Sequence, residues 1–166
     1  MPDPDRREIH ETVLRYCRAV DRLDFDGIRA VYAEDGVDHH TGFSGTADAY
    51  VAWLRELLPA LDGTMHLVGN HLAEIDGDHA VAETYGTAVH WGTPGSDPRR
   101  NFTSGFRYVD HFVRTAAGWR IRERFAVREW TRDDSGRMLA PEGDGPRGRR
   151  DEQDPFAVLR RSVLGH

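Results

Sequence analysis

Apolar residues in the first third of the chain recur at three- and four-residue steps, the period of an amphipathic helix. They predict one helix from about Asp5 to Leu23, a short second helix over Phe25–Tyr32, and a third from about Thr46 to Leu61. Asp24 or Asp26 can cap the second helix because a carboxylate accepts hydrogen bonds from the free N–H groups of a first turn. The chain therefore begins with three helices.

Beyond Gly63 the apolar period shortens towards two, as in strands with one buried face. Two turns, Asp76–Asp78 and Thr115–Gly118, and a longer loop over Gly92–Arg100 separate the strand segments. The predicted strands run approximately over Met65–Ile75, Ala80–Trp91, Phe102–Val113 and Trp119–Trp130. Helices followed by long antiparallel strands predict an α+β domain, with the helices packed in the concave face of a curved sheet around a pocket.

The length of 166 residues suits one domain. We expect that domain to cover residues 1–132, and the Gly-, Pro- and Arg-rich segment 133–166 to form a mobile or partly helical tail, with a short helix over Pro155–Leu164. No apolar stretch is long enough to cross a membrane, and residues 1–7 lack the apolar core of a secretory signal. Cytoplasmic localisation is the expectation that follows.

Composition excludes several classes of function. All 22 basic residues are arginine, so the chain cannot form a pyridoxal phosphate Schiff base or complete a Walker A loop. Cys17 is the single cysteine, too few for an intramolecular disulfide or a cysteine-rich metal site. A net charge of −6 argues against a nucleic-acid partner.

Several segments in this order resemble the SnoaL-like branch of the nuclear-transport-factor-2-like superfamily. The resemblance covers about residues 6–131 and implies a cone-shaped fold around one pocket. It rests on the following segments: Tyr16–Phe25, Val31–Gly36, Phe43–Thr46, Met65–His71, Phe106–Asp110 and Gly118–Ile121. Members of this superfamily include dehydratases, dehydrochlorinases, isomerases, epoxide hydrolases, cyclases and non-catalytic binders, so membership alone fixes no activity.

Asp21 and His66 look like the Asp–His dyad of scytalone dehydratase and of hexachlorocyclohexane dehydrochlorinase. By the same resemblance, His90 matches a second dehydratase histidine on the next strand, and Val20 replaces a tyrosine. A carboxylate bonded to one imidazole nitrogen fixes the tautomer, so that the other nitrogen can accept a proton. We predict that His66 is a base oriented by Asp21, with His90 or Tyr32 as the acid.

Structural roles compete with each of these assignments. Asp21 can simply end the first helix, His66 can be a core histidine satisfied by a carbonyl, and His90 can simply end its strand. Aromatic and apolar residues that fit the core also fit the lining of a pocket for a ring-containing substrate. We predict substrate contacts from some or all of the following: Tyr16, Trp53, Met65, Phe106, Tyr108 and Trp130.

Two further patterns suggest binding. His39 and His40, with His71 or Asp35, suggest a metal site, but neighbouring residues on an extended segment point to opposite sides. His66 and His71 are separated by an odd number of positions, so they also face opposite sides if their strand is regular. Four arginines at even spacing form a stripe that is either a solvated or dimer-facing surface or a site for an anionic substrate: Arg120, Arg122, Arg124 and Arg128.

The function predicted is a lyase or isomerase that needs neither cofactor nor metal and performs a dehydratase-like elimination on a small hydrophobic or aromatic metabolite. A cyclase or epoxide-opening enzyme of natural-product biosynthesis would use the same residues. A non-catalytic ligand-binding or dimerisation module is the third possibility. The resemblance also implies a homodimer formed on the open face of the sheet, where we expect Thr103, Arg107, Val109 and Arg124.

Overall fold

A computed structural model describes residues 3–93, 96–135 and 145–165. The expectation that the tail is mobile falls partly on residues 136–144 and 166, outside the described residues. Four α-helices are present in the described residues: α1 (Pro4–Arg22), α2 (Phe25–Ala30), α3 (Ala47–Leu57) and α4 (Pro155–Leu164). They agree with the predicted helices, except that α2 and α3 end earlier, and a short 3₁₀ turn, Leu58–Ala60, follows α3.

Side-chain caps explain where the helices begin. Asp3 accepts a hydrogen bond from the Asp5 amide at 3.0 Å, and Asp24 accepts one from the Gly27 amide at 2.8 Å. Each cap satisfies an amide that has no partner within its helix. Leu23 ends α1 with a positive φ of 56°, the left-handed conformation that reverses the chain into α2.

Six strands form one curved, open sheet in the described residues, in the order β2-β1-β6-β5-β4-β3. All neighbours are antiparallel except β1 and β6, which are parallel. The strands are β1 (Tyr32–His40), β2 (Phe43–Thr46), β3 (Gly63–Asp76), β4 (His79–Trp91), β5 (Phe102–Thr115) and β6 (Gly118–Asp133). The four predicted strands correspond to β3–β6, and the sequence pattern did not reveal β1 and β2.

Helix α1 packs its apolar stripe against one face of the sheet. Ile9 and Val13 are fully buried, and Phe112, Trp119 and Ile121 form the wall of strands opposite them. We call this covered side of the sheet the inner face and the opposite side the outer face. The α+β class is confirmed, and the helices and the inner face together leave room for a cavity.

Two β-bulges decide which side chains reach the inner face. In β6 the register with β5 shifts between His111 and Phe112, so that Ile121 and Arg124 are both buried although their numbers differ by three. A bulge inserts an unpaired residue and reverses the alternation of side chains beyond it. In β3 a shift between Val68 and His71 has the same effect.

Candidate active site

A cavity of about 520 Å³ lies between α1, α3 and the inner face of the sheet. Its volume suits a small ligand of one or a few rings. Aromatic side chains contribute much of its lining: Tyr16, Tyr50, Trp53, Phe102, Phe106 and Tyr108. His40, His66, His90 and Arg128 add polar groups to the same cavity.

Asp21 and His66 are in direct contact at one end of this cavity. Nδ1 of His66 lies 2.7 Å from Oδ1 of Asp21, and both side chains are largely buried. The His66 amide donates to Oδ2 at 3.0 Å, and the Thr64 hydroxyl donates to Oδ1 at 2.9 Å. Three donors therefore hold the carboxylate, and the carboxylate fixes the imidazole so that Nε2 remains the free ring nitrogen.

His90 lies beside this pair on β4. Its ring centroid is 6.2 Å from that of His66, and its ring stacks on Phe102 at 4.1 Å. Burial, reinforced by the nearby His66, lowers the pKa of His90 to about 4. His90 is therefore a neutral imidazole at pH 7, suited to donate a hydrogen bond but not to carry a positive charge.

The remaining predicted site residues divide into two groups. Tyr16, Trp53, Phe106 and Tyr108 line the cavity. Three others do not: Tyr32, Met65 and Trp130. Tyr32 is buried with its hydroxyl donating to Asp38 at 2.5 Å. Met65 and Trp130 are about half exposed, because their side chains alternate away from the inner face.

A second polar cluster borders the cavity on β1 and α3. Asp38 is fully buried and hydrogen-bonds Nδ1 of His40, whose Nε2 lies 3.2 Å from the Tyr50 hydroxyl. The Tyr50 hydroxyl in turn lies 2.6 Å from that of Tyr16. We call the four residues Asp38, His40, Tyr50 and Tyr16 the β1 relay.

The predicted arginine stripe is wrong, because the bulge in β6 divides it. Arg124 is fully buried on the inner face, where it forms two 2.7 Å hydrogen bonds to Asp110. Arg120 pairs with Val113 on the outer face, whereas Arg128 reaches the cavity. Arg124 is likewise not part of the open sheet face on which we expected a dimer.

The two histidine pairs considered as metal ligands differ in whether their side chains share a face of the sheet. His39 contacts Ser44 and Glu123, while His40 turns to Asp38 on the opposite side of the strand. The bulge in β3 places His66 and His71 on the same face, contrary to expectation, but His71 bonds Thr84 outside the cavity. Among the described residues, no cluster of three or more His, Cys, Asp or Glu side chains is arranged to hold a metal ion.

The β1 relay is the part of the site that sequence reasoning missed. Asp38 and His40 are two residues apart, a spacing that places both side chains on one face of a strand. The spacing is therefore a signal for this pair, but the pattern of residues around it does not indicate a strand.

Comparison with known proteins agrees with this architecture. Residues 4–125 match the family model described as the SnoaL-like domain. An uncharacterised protein of Mycobacterium tuberculosis H37Rv is 31% identical over 129 residues, which are 75% of this chain and 85% of that protein. The chain belongs to the SnoaL-like domain family.

Solved structures show the same fold. The Kfla4162 protein of Kribbella flavida is 28% identical with a TM-score of 0.71, covering 79% of this chain and 94% of that one. A putative scytalone dehydratase of Novosphingobium aromaticivorans is 22% identical with a TM-score of 0.69, covering 84% and 93%. A type 2 hexachlorocyclohexane dehydrochlorinase is 14% identical with a TM-score of 0.71, covering 82% and 93%. The fold is the NTF2-like fold.

The helices of the described residues include none that is long and apolar enough to cross a membrane.

Proposed function

We propose that the protein is a lyase or isomerase that uses the Asp21–His66 pair to remove a proton from a small aromatic or hydrophobic substrate. The observation that carries this proposal is the 2.7 Å contact between Nδ1 of His66 and Asp21 at the edge of an aromatic-lined cavity. Structural neighbours described as a putative scytalone dehydratase and a dehydrochlorinase agree with an elimination.

The proposed reaction begins when Nε2 of His66 takes a proton from a carbon next to a carbonyl group. Asp21 stabilises the resulting imidazolium, because a carboxylate next to a positive charge lowers its energy in a dry site. The electron pair of the broken C–H bond forms a C=C bond. In a dehydratase-like elimination the bond to a hydroxyl on the next carbon then breaks, and the departing oxygen takes a proton to leave as water.

His90 is the neutral donor beside this reaction. Because its pKa is about 4, His90 hydrogen-bonds the departing oxygen, and the imidazolium of His66 supplies the proton. Tyr32 has no part in this scheme, since its hydroxyl is directed to Asp38 and does not line the cavity. Proton transfers of this kind require no redox group.

Exchange of α-protons tests the base without knowledge of the natural substrate. We expect the protein to accelerate deuterium uptake by small aromatic ketones in D₂O, followed by NMR, and His66→Gln to lower that rate at least about a hundredfold. Asp21→Asn should lower it as well, because the amide cannot stabilise an imidazolium.

His71→Gln is the matched control, since His71 lies on the same strand and face but outside the cavity. It should leave the exchange rate unchanged. Exchange that persists in His66→Gln contradicts the proposed base. A folded protein that binds the ketones without any exchange would instead indicate a ligand-binding module.

We also propose that the protein forms a homodimer through the outer face of the sheet. Arg107 lies there between Glu83 and Glu129. The same face carries exposed apolar side chains that a second copy would cover: Leu67, Val81, Tyr85 and Phe125. Tyr85→Arg should convert a dimer into monomers in light scattering. Leu159→Arg, on the exposed side of α4, is the control and should not. A monomeric parent protein would contradict the proposal.

A further inference from the structure

The β1 relay contains a second Asp–His pair that the proposed base does not use. Asp38 is fully buried, and its two oxygens bond the Tyr32 hydroxyl and Nδ1 of His40. The His40 ring stacks on Tyr50 with 4.8 Å between centroids. Like Asp21 and His66, the pair holds an imidazole in one orientation at the surface of the cavity.

This second pair lies apart from the first within one cavity. A row of ring contacts connects them: His66 to Phe106 at 5.9 Å, Phe106 to Tyr108 at 4.4 Å, and Tyr108 to His40 at 6.3 Å. A ring-containing substrate that stacks along Phe106 and Tyr108 would have one end at each Asp–His pair. The cavity therefore has two polar ends joined by an aromatic wall.

Counting hydrogens shows when the β1 relay can donate to a ligand. Nδ1 of His40 gives its hydrogen to Asp38, so a neutral His40 presents a lone pair at Nε2. The Tyr50 hydroxyl must then donate to Nε2 and the Tyr16 hydroxyl to Tyr50, which uses both hydroxyl hydrogens. When His40 is protonated, Nε2 donates to Tyr50, and one hydroxyl hydrogen becomes free for the cavity.

Three charged side chains surround His40 and the tyrosines of the β1 relay. Asp38 and Asp110 face it from β1 and β5, and Arg124 faces the same group of tyrosines from β6. Arg124 is already paired with Asp110, which leaves Asp38 as the carboxylate that a protonated His40 would neutralise. Burial raises the pKa values of Tyr16 and Tyr50, so both hydroxyls retain their hydrogens.

We propose that the β1 relay is a second acid–base site, which binds and protonates the carbonyl oxygen of the substrate. This inference rests on the proposed function and narrows its substrate class to aromatic ketones. As His66 takes the α-proton, the carbonyl π electrons move to oxygen. The oxygen takes a hydroxyl proton, which His40 replaces through Tyr50. A substrate without an oxygen acceptor, such as a halogenated hydrocarbon, would leave this end of the cavity unused.

The carbonyl band of acetophenone reports directly on this site. Bound to the protein, ¹³C-carbonyl-labelled acetophenone should show its stretching band in difference infrared spectra at lower frequency than in an apolar solvent, because a hydrogen-bond donor weakens the C=O bond. The double variant Tyr16→Phe/Tyr50→Phe, which removes both hydroxyl donors of the β1 relay, should return the band towards the solvent value. It should also raise the Kd, measured by tryptophan fluorescence, about tenfold, the loss of one good hydrogen bond. His40→Gln should keep the shifted band, because the glutamine amide can donate to Tyr50, but it should lower the rate of α-proton exchange, because it cannot replace the proton that the hydroxyl gives up.

Variants at neighbouring histidines separate this site from its alternatives. His39→Gln is the matched control for His40→Gln, because His39 is adjacent but faces Ser44 and Glu123. The carbonyl band and Kd of acetophenone and the rate of α-proton exchange should all equal those of the parent protein in this variant. The shift should survive in His90→Gln. A band at the solvent frequency in the parent protein overturns the proposal, as does a shift that survives in Tyr16→Phe/Tyr50→Phe or is lost only in His90→Gln. Exchange in His40→Gln at the rate of the parent protein also overturns it.

His66→Gln distinguishes failure of this inference from failure of the proposed base. In that variant the shifted band should remain while α-proton exchange is lost. If α-proton exchange persists in His66→Gln and the band shift is intact, the result contradicts the proposed role of His66 as the base but not the second site. Loss of exchange in His66→Gln, combined with a shifted band that does not change in Tyr16→Phe/Tyr50→Phe, contradicts the second site alone.

Discussion

Arg124 is a charged residue of the core whose side chain is held by both a carboxylate and two aromatic rings. Its side chain is fully buried, paired with Asp110, and lies between the rings of Tyr16 and Tyr108 at 4.2 and 4.0 Å. Although burial opposes it, the carboxylate of Asp110 raises the pKa of Arg124 well above its usual value. Arg124 therefore stays charged in the core, and its pairing with Asp110 positions two aromatic side chains of the cavity.

Removing one partner of this pair should be far more harmful than removing both. Arg124→Leu leaves the Asp110 carboxylate buried without its counter-charge, and we expect a loss of about 3–5 kcal/mol in the free energy of unfolding. The double variant Arg124→Leu/Asp110→Leu should recover much of that loss. Urea denaturation followed by circular dichroism measures both.

Arg15→Leu is the comparison for this prediction, since Arg15 pairs with Glu11 on the exposed side of α1, where water screens the charges. It should change stability little. Equal losses in Arg124→Leu and in the double variant would show that packing of the arginine stem against the tyrosines, not the unpaired charge, dominates the effect.

At the scale of the elements, helices were predictable because their signals are local. The period of α1 and the polar cap of α2 depend only on nearby residues, and Pro155–Leu164 is helical at the bounds predicted. The segment Tyr32–His40 lacks such a signal: its acidic and glycine residues indicate a helix end, yet it forms β1 because it pairs with β2 and β6. Pairing with distant segments therefore determines that these residues form a strand.

Strand register was beyond sequence reasoning for the same reason. Even spacing placed Arg120 and Arg124 on one face, and odd spacing placed His66 and His71 on opposite faces. Both conclusions were reversed by bulges that arise from the fit of neighbouring strands. The family resemblance marked Asp21 and His66, which the structure brings into contact, whereas Asp38 and His40 required the position of β1.

At the scale of the whole molecule, we propose that residues 1–132 form the SnoaL-like unit, with the segment 133–166 as an addition to it. The described part of this segment contacts the helical side of the unit. Arg150 donates to the carbonyl of Leu61 at 2.9 Å, and Arg22 lies 4.0 Å from Asp154. Leu61 also lines the cavity, so the segment supports the wall near the proposed base.

Folding of the whole molecule should depend on pH through two inner-face histidines. Burial, with smaller contributions from neighbouring histidines, lowers the pKa values of His71 and His90 to about 4. In the unfolded chain both return to about 6.5 and bind protons that the native state does not. Stability is therefore complete above pH 6.5 and falls as the pH decreases towards 4.

Each histidine contributes at most about 1.4 kcal/mol per pH unit within that interval, and less for His71, which is only half-buried. Urea titrations at pH 7 and pH 4.5 should therefore show a clear loss in the parent protein. The loss should be much smaller in His71→Gln/His90→Gln, because glutamine does not titrate. Control variant His79→Gln alters an exposed histidine and should keep the full pH dependence. An equal loss in the double variant would assign the acid sensitivity to other groups.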